Sequence, residues 1–111
     1  MEINVIETSG VPTVVLSGDL DVYSIGIFKE KFSELSDSNE GKIILVDCEN
    51  LNYIDSSGLG AFISLVKKSR STKGDVRLFH VNEDVQKILE LTRIMKFMKP
   101  YLDARSALEG K

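Results

Sequence analysis

Cysteine, histidine and excess basic charge are all scarce in this chain of 111 residues. Cys48 is the single cysteine, so no internal disulfide can form. His80 is the single histidine, so a zinc site built from cysteine and histidine is not expected, and no metal site is predicted. Lys and Arg number 14 against 17 Asp and Glu, which gives a net charge of −3. Binding to nucleic acid needs a concentrated basic face, so no nucleic-acid partner is predicted.

Long apolar runs are also missing. No segment approaches the roughly 20 apolar residues of a membrane-spanning helix, so no membrane span is predicted. The first residues lack the basic and then apolar layout of a signal peptide, which favours a cytoplasmic location. Hydrophobic residues make up 42% of the chain and charged residues 28%. Such a composition is typical of a globular protein, and the length suits one domain over residues 1–111.

Segments with strand character alternate with segments of helical spacing. Strands are predicted at residues 3–8, 13–17, 43–46 and 75–81, and helices at 25–35, 57–71, 83–92 and 104–109. The first helix is predicted to have one apolar face, formed by Ile25, Phe28, Phe32 and Leu35. Residues 94–102 fit either an edge strand or a loop, because Pro100 cannot donate a backbone hydrogen bond. The link between the first two strands, Ser9 to Pro12, is turn-forming and too short for a crossover, so they form an antiparallel hairpin.

The later strands are separated by helices, which implies parallel pairing through right-handed crossovers. The run Ile43–Val46 shows no alternation, which predicts a central strand covered on both sides. If the strands follow chain order in the sheet, every helix falls on one face. The predicted fold is therefore α/β, with a mixed sheet, an N-terminal hairpin, βα units and helices mainly on one face.

The stretch Asn52–Gly60 is the one on which the function depends. It comes after the apolar strand and a short polar linker and leads into a helix, so Asp55, Ser56 and Ser57 lie where that helix begins. Capping the helix needs one such side chain and contributes roughly 1 kcal/mol, yet three polar side chains are adjacent. Gly58 and Gly60 cost about 1 kcal/mol each relative to Ala in a helix. We infer that glycine leaves the backbone here open to the close approach of a partner.

Known catalytic and nucleotide-binding motifs do not fit this stretch. A nucleophile elbow needs Gly two residues before the serine, where Ile54 and Asp55 stand. A P-loop needs a Lys after its last Gly, and the dinucleotide motif needs a third Gly where Ile63 stands. The sequence therefore predicts no cofactor and a protein that is not an enzyme. Cys48 is expected in the core or a loop, and His80 in a structural role.

Two segments together resemble a known family. Gly18-Asp19-Leu20-Asp21 and Tyr53-Ile54-Asp55-Ser56-Ser57-Gly58-Leu59-Gly60, with an apolar strand between them, are similar to the bacterial anti-sigma-factor antagonists of the STAS domain family. The resemblance implies that Ser56 is phosphorylated by the partner, an anti-sigma factor with serine kinase activity. It implies that the unphosphorylated form binds this partner and releases the sigma factor. It also implies a serine phosphatase that resets the switch.

The partner-binding face implied by the resemblance comprises both segments: Asp19, Asp21, Asp55, Ser56, Ser57, Gly58, Leu59 and Gly60. A phosphate is tolerated at a helix N-terminus, while its charge of about −1.5 to −2 would repel a partner docked beside Asp55 and Asp21. This hypothesis requires the Ser56 hydroxyl to be exposed and close to the acidic loop. The competing hypotheses are a STAS-type subunit of a signalling complex, an accessory to a lipid or anion transporter, and a sensor of a small molecule or nucleotide.

Overall fold

A computed structural model describes residues 1–110, and Lys111, the last residue of the predicted domain, lies outside the described residues. The elements are β1 (Glu2–Thr8), β2 (Val11–Leu20), α1 (Ile25–Ser38), β3 (Ile43–Ile54), α2 (Ser56–Ser71), β4 (Asp75–Phe79), α3 (Glu83–Leu91), a 3-10 turn (Ile94–Lys96) and α4 (Ala104–Glu109). Among the helices of residues 1–110, none is both long and apolar enough to cross a membrane.

The sheet has four strands in the order β1-β2-β3-β4. β1 and β2 form the predicted antiparallel hairpin, and β2–β3 and β3–β4 are parallel. The hairpin turn is shorter than predicted, because Val11 already pairs with Thr8. Ser9 and Gly10 alone make the turn, with φ of 52° and 80°. Positive φ at both positions is what a two-residue type I′ turn requires, and it matches the twist of the strands.

The main core lies between one face of the sheet and helices α1, α2 and α3. Phe28 and Phe32 of α1 and Phe62 of α2 are buried there, and the ring centroid of Phe28 lies 4.9 Å from that of Phe32 and 5.3 Å from that of Phe62. Ile44 and Val46 of β3 belong to the same cluster. The predicted face of α1 and the mixed α/β architecture are therefore confirmed.

α4 covers the opposite face, so the helices lie mainly on one face, as predicted, but the expectation that every helix lies there is wrong. Ala107 of α4 packs with Leu45 and Phe79 in a second buried cluster. Successive strand residues point to opposite faces, so the unbroken run Ile43–Val46 has apolar side chains for both layers. The prediction that this strand is covered on both sides is confirmed.

β3 extends eight residues beyond its predicted end at Val46, so residues 47–54 are strand and not a polar linker. Its register with β2 shifts twice: Val15 pairs with Asp47 but Ser17 with Asn50, and a second shift comes after Gly18. Each shift inserts an extra residue in β3, as in a β-bulge. The bulges interrupt the two-residue alternation, which is why this half of β3 does not look like a strand in the sequence.

Residues 94–102 form no regular strand. After the 3-10 turn, Tyr101 makes one isolated parallel bridge to Phe79, and its backbone N–H donates to the Leu78 carbonyl at 2.8 Å. Pro100, immediately before it, has no N–H with which to extend the pairing. Of the two alternatives left open by the sequence, the loop is the one observed.

Candidate functional site

β2 and β3 end side by side, and this brings the two predicted segments together. Leu20 pairs with Ile54 at the end of the parallel ladder, and the Asp55 N–H donates to the Leu20 carbonyl at 3.1 Å. The loop after β2 and the first turn of α2 therefore share one edge of the sheet. Asp21, in this loop, therefore lies beside the start of α2 as the sequence required, whereas Asp19 belongs to β2 and pairs with Tyr53.

Asp55 holds these two elements together. Its Oδ1 accepts a hydrogen bond from the Gly58 N–H at 2.9 Å, which caps α2. Its Oδ2 accepts from the Val22 N–H at 3.2 Å, which ties down the loop after β2. Both carboxylate oxygens thus accept hydrogen bonds from backbone N–H groups. The capping role of Asp55 is confirmed, and its second role, which is to tether the loop, was not predicted from the sequence.

Ser56 is the first residue of α2, and it is exposed. Ser57, next to it, is half-buried. Because Asp55 performs the capping, neither serine hydroxyl has a hydrogen-bond partner within residues 1–110. Both serines line an open, shallow depression together with Ile25 and Lys29 of α1. The Ser56 hydroxyl is therefore accessible to a visiting protein, and Lys29 is a cation in the same depression.

Asp19, near the end of β2, and Asp21, in the loop after it, have different surroundings. Asp21 is half-buried, and its Oδ1 accepts hydrogen bonds from the backbone N–H of Tyr23 at 3.0 Å and of Ser24 at 3.2 Å. The Ser24 hydroxyl oxygen in turn accepts from the Asp21 N–H at 3.0 Å. Asp19 is exposed, and within residues 1–110 its carboxylate has no hydrogen bond or ion pair. Asp21 therefore shapes the loop, whereas the Asp19 carboxylate remains available to a ligand.

The two glycines of the motif differ as well. A Cβ on Gly58 would lie 2.6 Å from the Leu20 carbonyl oxygen and 2.8 Å from Cγ1 of Ile54, so glycine is needed for α2 to pack on β2 and β3. The expectation that Gly58 opens the backbone to a partner is therefore wrong. Gly60 is exposed with no neighbour within 4 Å of a Cβ built there, so at this position the expectation fits. Leu59 is buried at 7% exposure and supports the motif from within.

Exposed apolar side chains surround the same edge, and sequence reasoning did not find them. Tyr23 is 93% exposed and Val22 60% exposed in the loop after β2, and Ile27 of α1 is 48% exposed. Their signal in the sequence was the pair of adjacent apolar residues, Val22 and Tyr23, between Asp21 and the start of α1. Adjacent exposed apolar residues rimmed by polar ones are typical of a surface that binds another protein.

Cys48 has no part in this site. Its side chain is in the main core, as predicted. Burial and, to a smaller extent, the charge of Asp47 raise the pKa of the thiol well above its usual range. A thiol that stays protonated in the core is a poor nucleophile.

Comparison with known proteins places this geometry in a family. The family model described as STAS domain matches residues 2–107. The anti-sigma F factor antagonist of Paenibacillus polymyxa is 29% identical over 99 residues, which span 89% of this chain and 85% of that protein. The anti-sigma-B factor antagonist of Bacillus subtilis is 27% identical over 97 residues, spanning 87% and 84%.

Solved structures agree on the fold. The crystal structure of an anti-sigma factor antagonist from Mycobacterium paratuberculosis matches with a TM-score of 0.86 at 17% identity, over 98% of this chain and 92% of that one. The Bacillus cell fate determinant SpoIIAA in its phosphorylated form matches with a TM-score of 0.70 at 18% identity, over 99% and 100%. With a family model that covers nearly its whole length, this chain belongs to the STAS domain family.

Proposed function

We propose that this chain is an anti-sigma-factor antagonist switched by phosphorylation of Ser56. The unphosphorylated form binds an anti-sigma factor that is also a serine kinase, and this binding releases the sigma factor. Phosphorylation abolishes the binding, and a serine phosphatase restores it. In this role the chain is a kinase substrate and a binding module, not an enzyme. The names of its relatives, which are anti-sigma factor antagonists, support the role.

The observation that carries the proposal is the exposure of Ser56 at the start of α2. Its hydroxyl has no hydrogen bond to break within residues 1–110, so phosphorylation would not cost the fold a contact. The N-terminus of a helix also stabilises a phosphate through its free N–H groups and its dipole. SpoIIAA, which shares the fold, has been solved both phosphorylated and unphosphorylated, so at least one such domain accommodates the modification.

The surface around Ser56 offers two kinds of contact to a partner. Tyr23 and Val22 supply exposed apolar area, and tyrosine is enriched among the residues that dominate binding energy at interfaces. Asp19 supplies a carboxylate without an internal partner within residues 1–110, which suits a basic residue on the kinase. Asp55 holds the loop with Val22 and Tyr23 beside Ser56 by bonding to the backbone N–H groups of Val22 and Gly58.

Added charge at this position would switch binding by repelling negative charge on the partner. A phosphate adds about −1.5 to −2 charges beside Asp55. Two unit charges about 4 Å apart interact by roughly 4 kcal/mol at an effective dielectric of about 20, and exposure to solvent reduces this. A loss of about 3 kcal/mol at an interface lowers the affinity more than a hundredfold. No large change in shape of the domain is needed.

The test is the affinity of Ser56 variants for the cognate anti-sigma factor kinase, measured by calorimetry. Ser56→Ala should bind like the wild type, and Ser56→Asp should bind about a hundredfold more weakly. Ser38→Asp is the matched control, because Ser38 is exposed at the last residue of α1, outside the depression that Ser56 lines, and its substitution adds the same charge. Equal affinity of Ser56→Ala and Ser56→Asp would contradict the proposal.

A further inference from the structure

His80 and two carboxylates form a cluster away from the Ser56 site. The Nδ1 atom of His80 lies 3.4 Å from Oδ1 of Asp47 and 3.9 Å from Oε2 of Glu49. One donor atom from each of these three residues lies within 4.8 Å of the other two. Asp47 and Glu49 belong to β3, whereas His80 comes directly after β4, so the pairing of these two strands builds the cluster.

We propose that Asp47, Glu49 and His80 bind a divalent transition metal ion of the zinc type. Zinc takes imidazole nitrogen and carboxylate oxygen at about 2.0–2.2 Å in tetrahedral geometry. Two ligand atoms at that distance are about 3.3–3.6 Å apart along a tetrahedral edge. The separation of 3.4 Å between His80 and Asp47 already matches this, and the 3.9 Å to Glu49 requires only a small side-chain adjustment.

The side chains are accessible enough for an ion to enter. His80 is 40% exposed and Glu49 is 69% exposed, while Asp47 is 20% exposed and fixes the base of the site. Asp47 is also oriented by the Glu49 N–H, which donates to its Oδ1 at 3.0 Å. Three protein ligands on an open surface leave the fourth position of the ion to water.

The surrounding charge favours a cation. Asp47 and Glu49 bring two carboxylates to the one imidazole. A neutral histidine with these carboxylates leaves a net negative site. Cys48, the single thiol of the chain, is enclosed in the core and does not compete as a ligand.

The competing explanation is a simple ion pair between protonated His80 and the two carboxylates. The two explanations predict different responses of the imidazole to added zinc, because metal binding uses the lone pair of the neutral ring. Because His80 is the single histidine of the chain, the NMR signals of one imidazole ring report on this cluster alone. The site shares no residue with the Ser56 surface, so the proposal does not depend on the proposed function.

The test is a titration of the full chain with zinc ions, monitored by the histidine ring signals and by calorimetry. The wild type should bind one zinc ion with a shift of the ring signals. Asp47→Asn and Glu49→Gln should each lose about tenfold or more in zinc affinity, because even the loss of an outer-sphere partner costs about that much. Glu30→Gln, which alters an exposed carboxylate on α1, is the control and should bind like the wild type.

His80→Asn is the variant that removes the nitrogen ligand with least disturbance, because His80 has a φ of 58° and asparagine tolerates that region. Its thermal unfolding should match that of the wild type in the absence of zinc, and its zinc binding should be lost. Ring signals of the wild type that do not respond to zinc would overturn the proposal. Zinc affinity that is unchanged in His80→Asn or Glu49→Gln would overturn it as well.

Discussion

The first turns of α2 and α3 have the same capping geometry but different charge. In α2 the Asp55 side chain accepts a hydrogen bond from the N–H of Gly58, three residues on, at 2.9 Å. In α3 the Asn82 side chain accepts from the N–H of Val85, also three residues on, at 2.8 Å. The same hydrogen-bond geometry therefore starts both helices, although the capping side chain is a carboxylate in α2 and a neutral amide in α3.

The two helices differ in the residues directly after the cap. α3 has Glu83 and Asp84 in its first turn, and α2 has no acidic residue there, with Ser56 and Ser57 in those positions. Negative charge near a helix N-terminus is stabilising by about 0.3–1 kcal/mol. α3 carries this charge permanently. α2 has hydroxyl groups at the same two positions, and under the proposed function a phosphate on Ser56 would supply the negative charge reversibly.

The largest expected effect comes from disrupting the close packing at the start of α2, a feature that the start of α3 does not share. Gly58→Ala should destabilise the domain by about 1–3 kcal/mol, because the added methyl group meets the Leu20 carbonyl oxygen at 2.6 Å. Gly60→Ala is the matched control. It adds the same methyl group in open space and should raise the stability by up to about 1 kcal/mol. Urea unfolding of both variants measures this, and similar stabilities for the two would contradict the packing account.

A smaller effect tests the charge difference itself. Glu83→Gln should destabilise the domain by about 0.3–1 kcal/mol, because it removes a favourable charge from the first turn of α3. Ser56→Asp adds that charge to α2 and should stabilise the domain by no more than about the same amount, since Asp55 is adjacent. Thermal unfolding at low and high salt checks both, and both differences should shrink in salt. A clearly destabilised Ser56→Asp variant would mean that this helix end does not accommodate negative charge.

The smallest expected effect concerns the start of α4, which has a third cap of this type. Asp103 accepts from the Ser106 N–H at 2.8 Å, and this bond, with further charge interactions, lowers the pKa of Asp103 from 3.8. A lowered pKa means that ionised Asp103 stabilises the folded state. This contribution is complete above the unfolded value and is lost as the pH falls through the folded value.

Asp103→Asn keeps the cap but not the charge, so it isolates this contribution. The variant should be slightly less stable than the wild type near neutral pH, and the difference should vanish in acid once Asp103 is protonated. Thermal unfolding across the acidic range measures the difference. A difference in stability between Asp103→Asn and the wild type that grows as the pH falls would contradict this account.

The sequence predicted the elements whose apolar spacing is regular. The face of α1 with Phe28 and Phe32 was found in this way, as were the hairpin and the parallel strands after it. It did not predict the second half of β3, where buried Cys48, Leu51 and Ile54 are spaced by three residues because of the bulges. Pairing with a neighbouring strand sets such a register, and the strand's own pattern does not reveal it.

Only part of the site was predicted, because some of its contacts join residues that are distant in sequence. The position of Asp55, Ser56 and Ser57 at a helix start could be inferred from local spacing. The close approach of Gly58 to Leu20 could not, because the two residues are distant in sequence and meet only through the end of the β2–β3 ladder. The same holds for His80 and Asp47, which looked unrelated in the sequence and lie 3.4 Å apart in the fold.

The most direct test of the central claim is to locate the phosphate after incubation of the domain with its kinase and ATP. Mass spectrometry should place one phosphate on Ser56. Ser57→Ala should remain a substrate, and Ser56→Ala should not be phosphorylated. A phosphate on Ser57, or modification that persists in Ser56→Ala, would contradict the account.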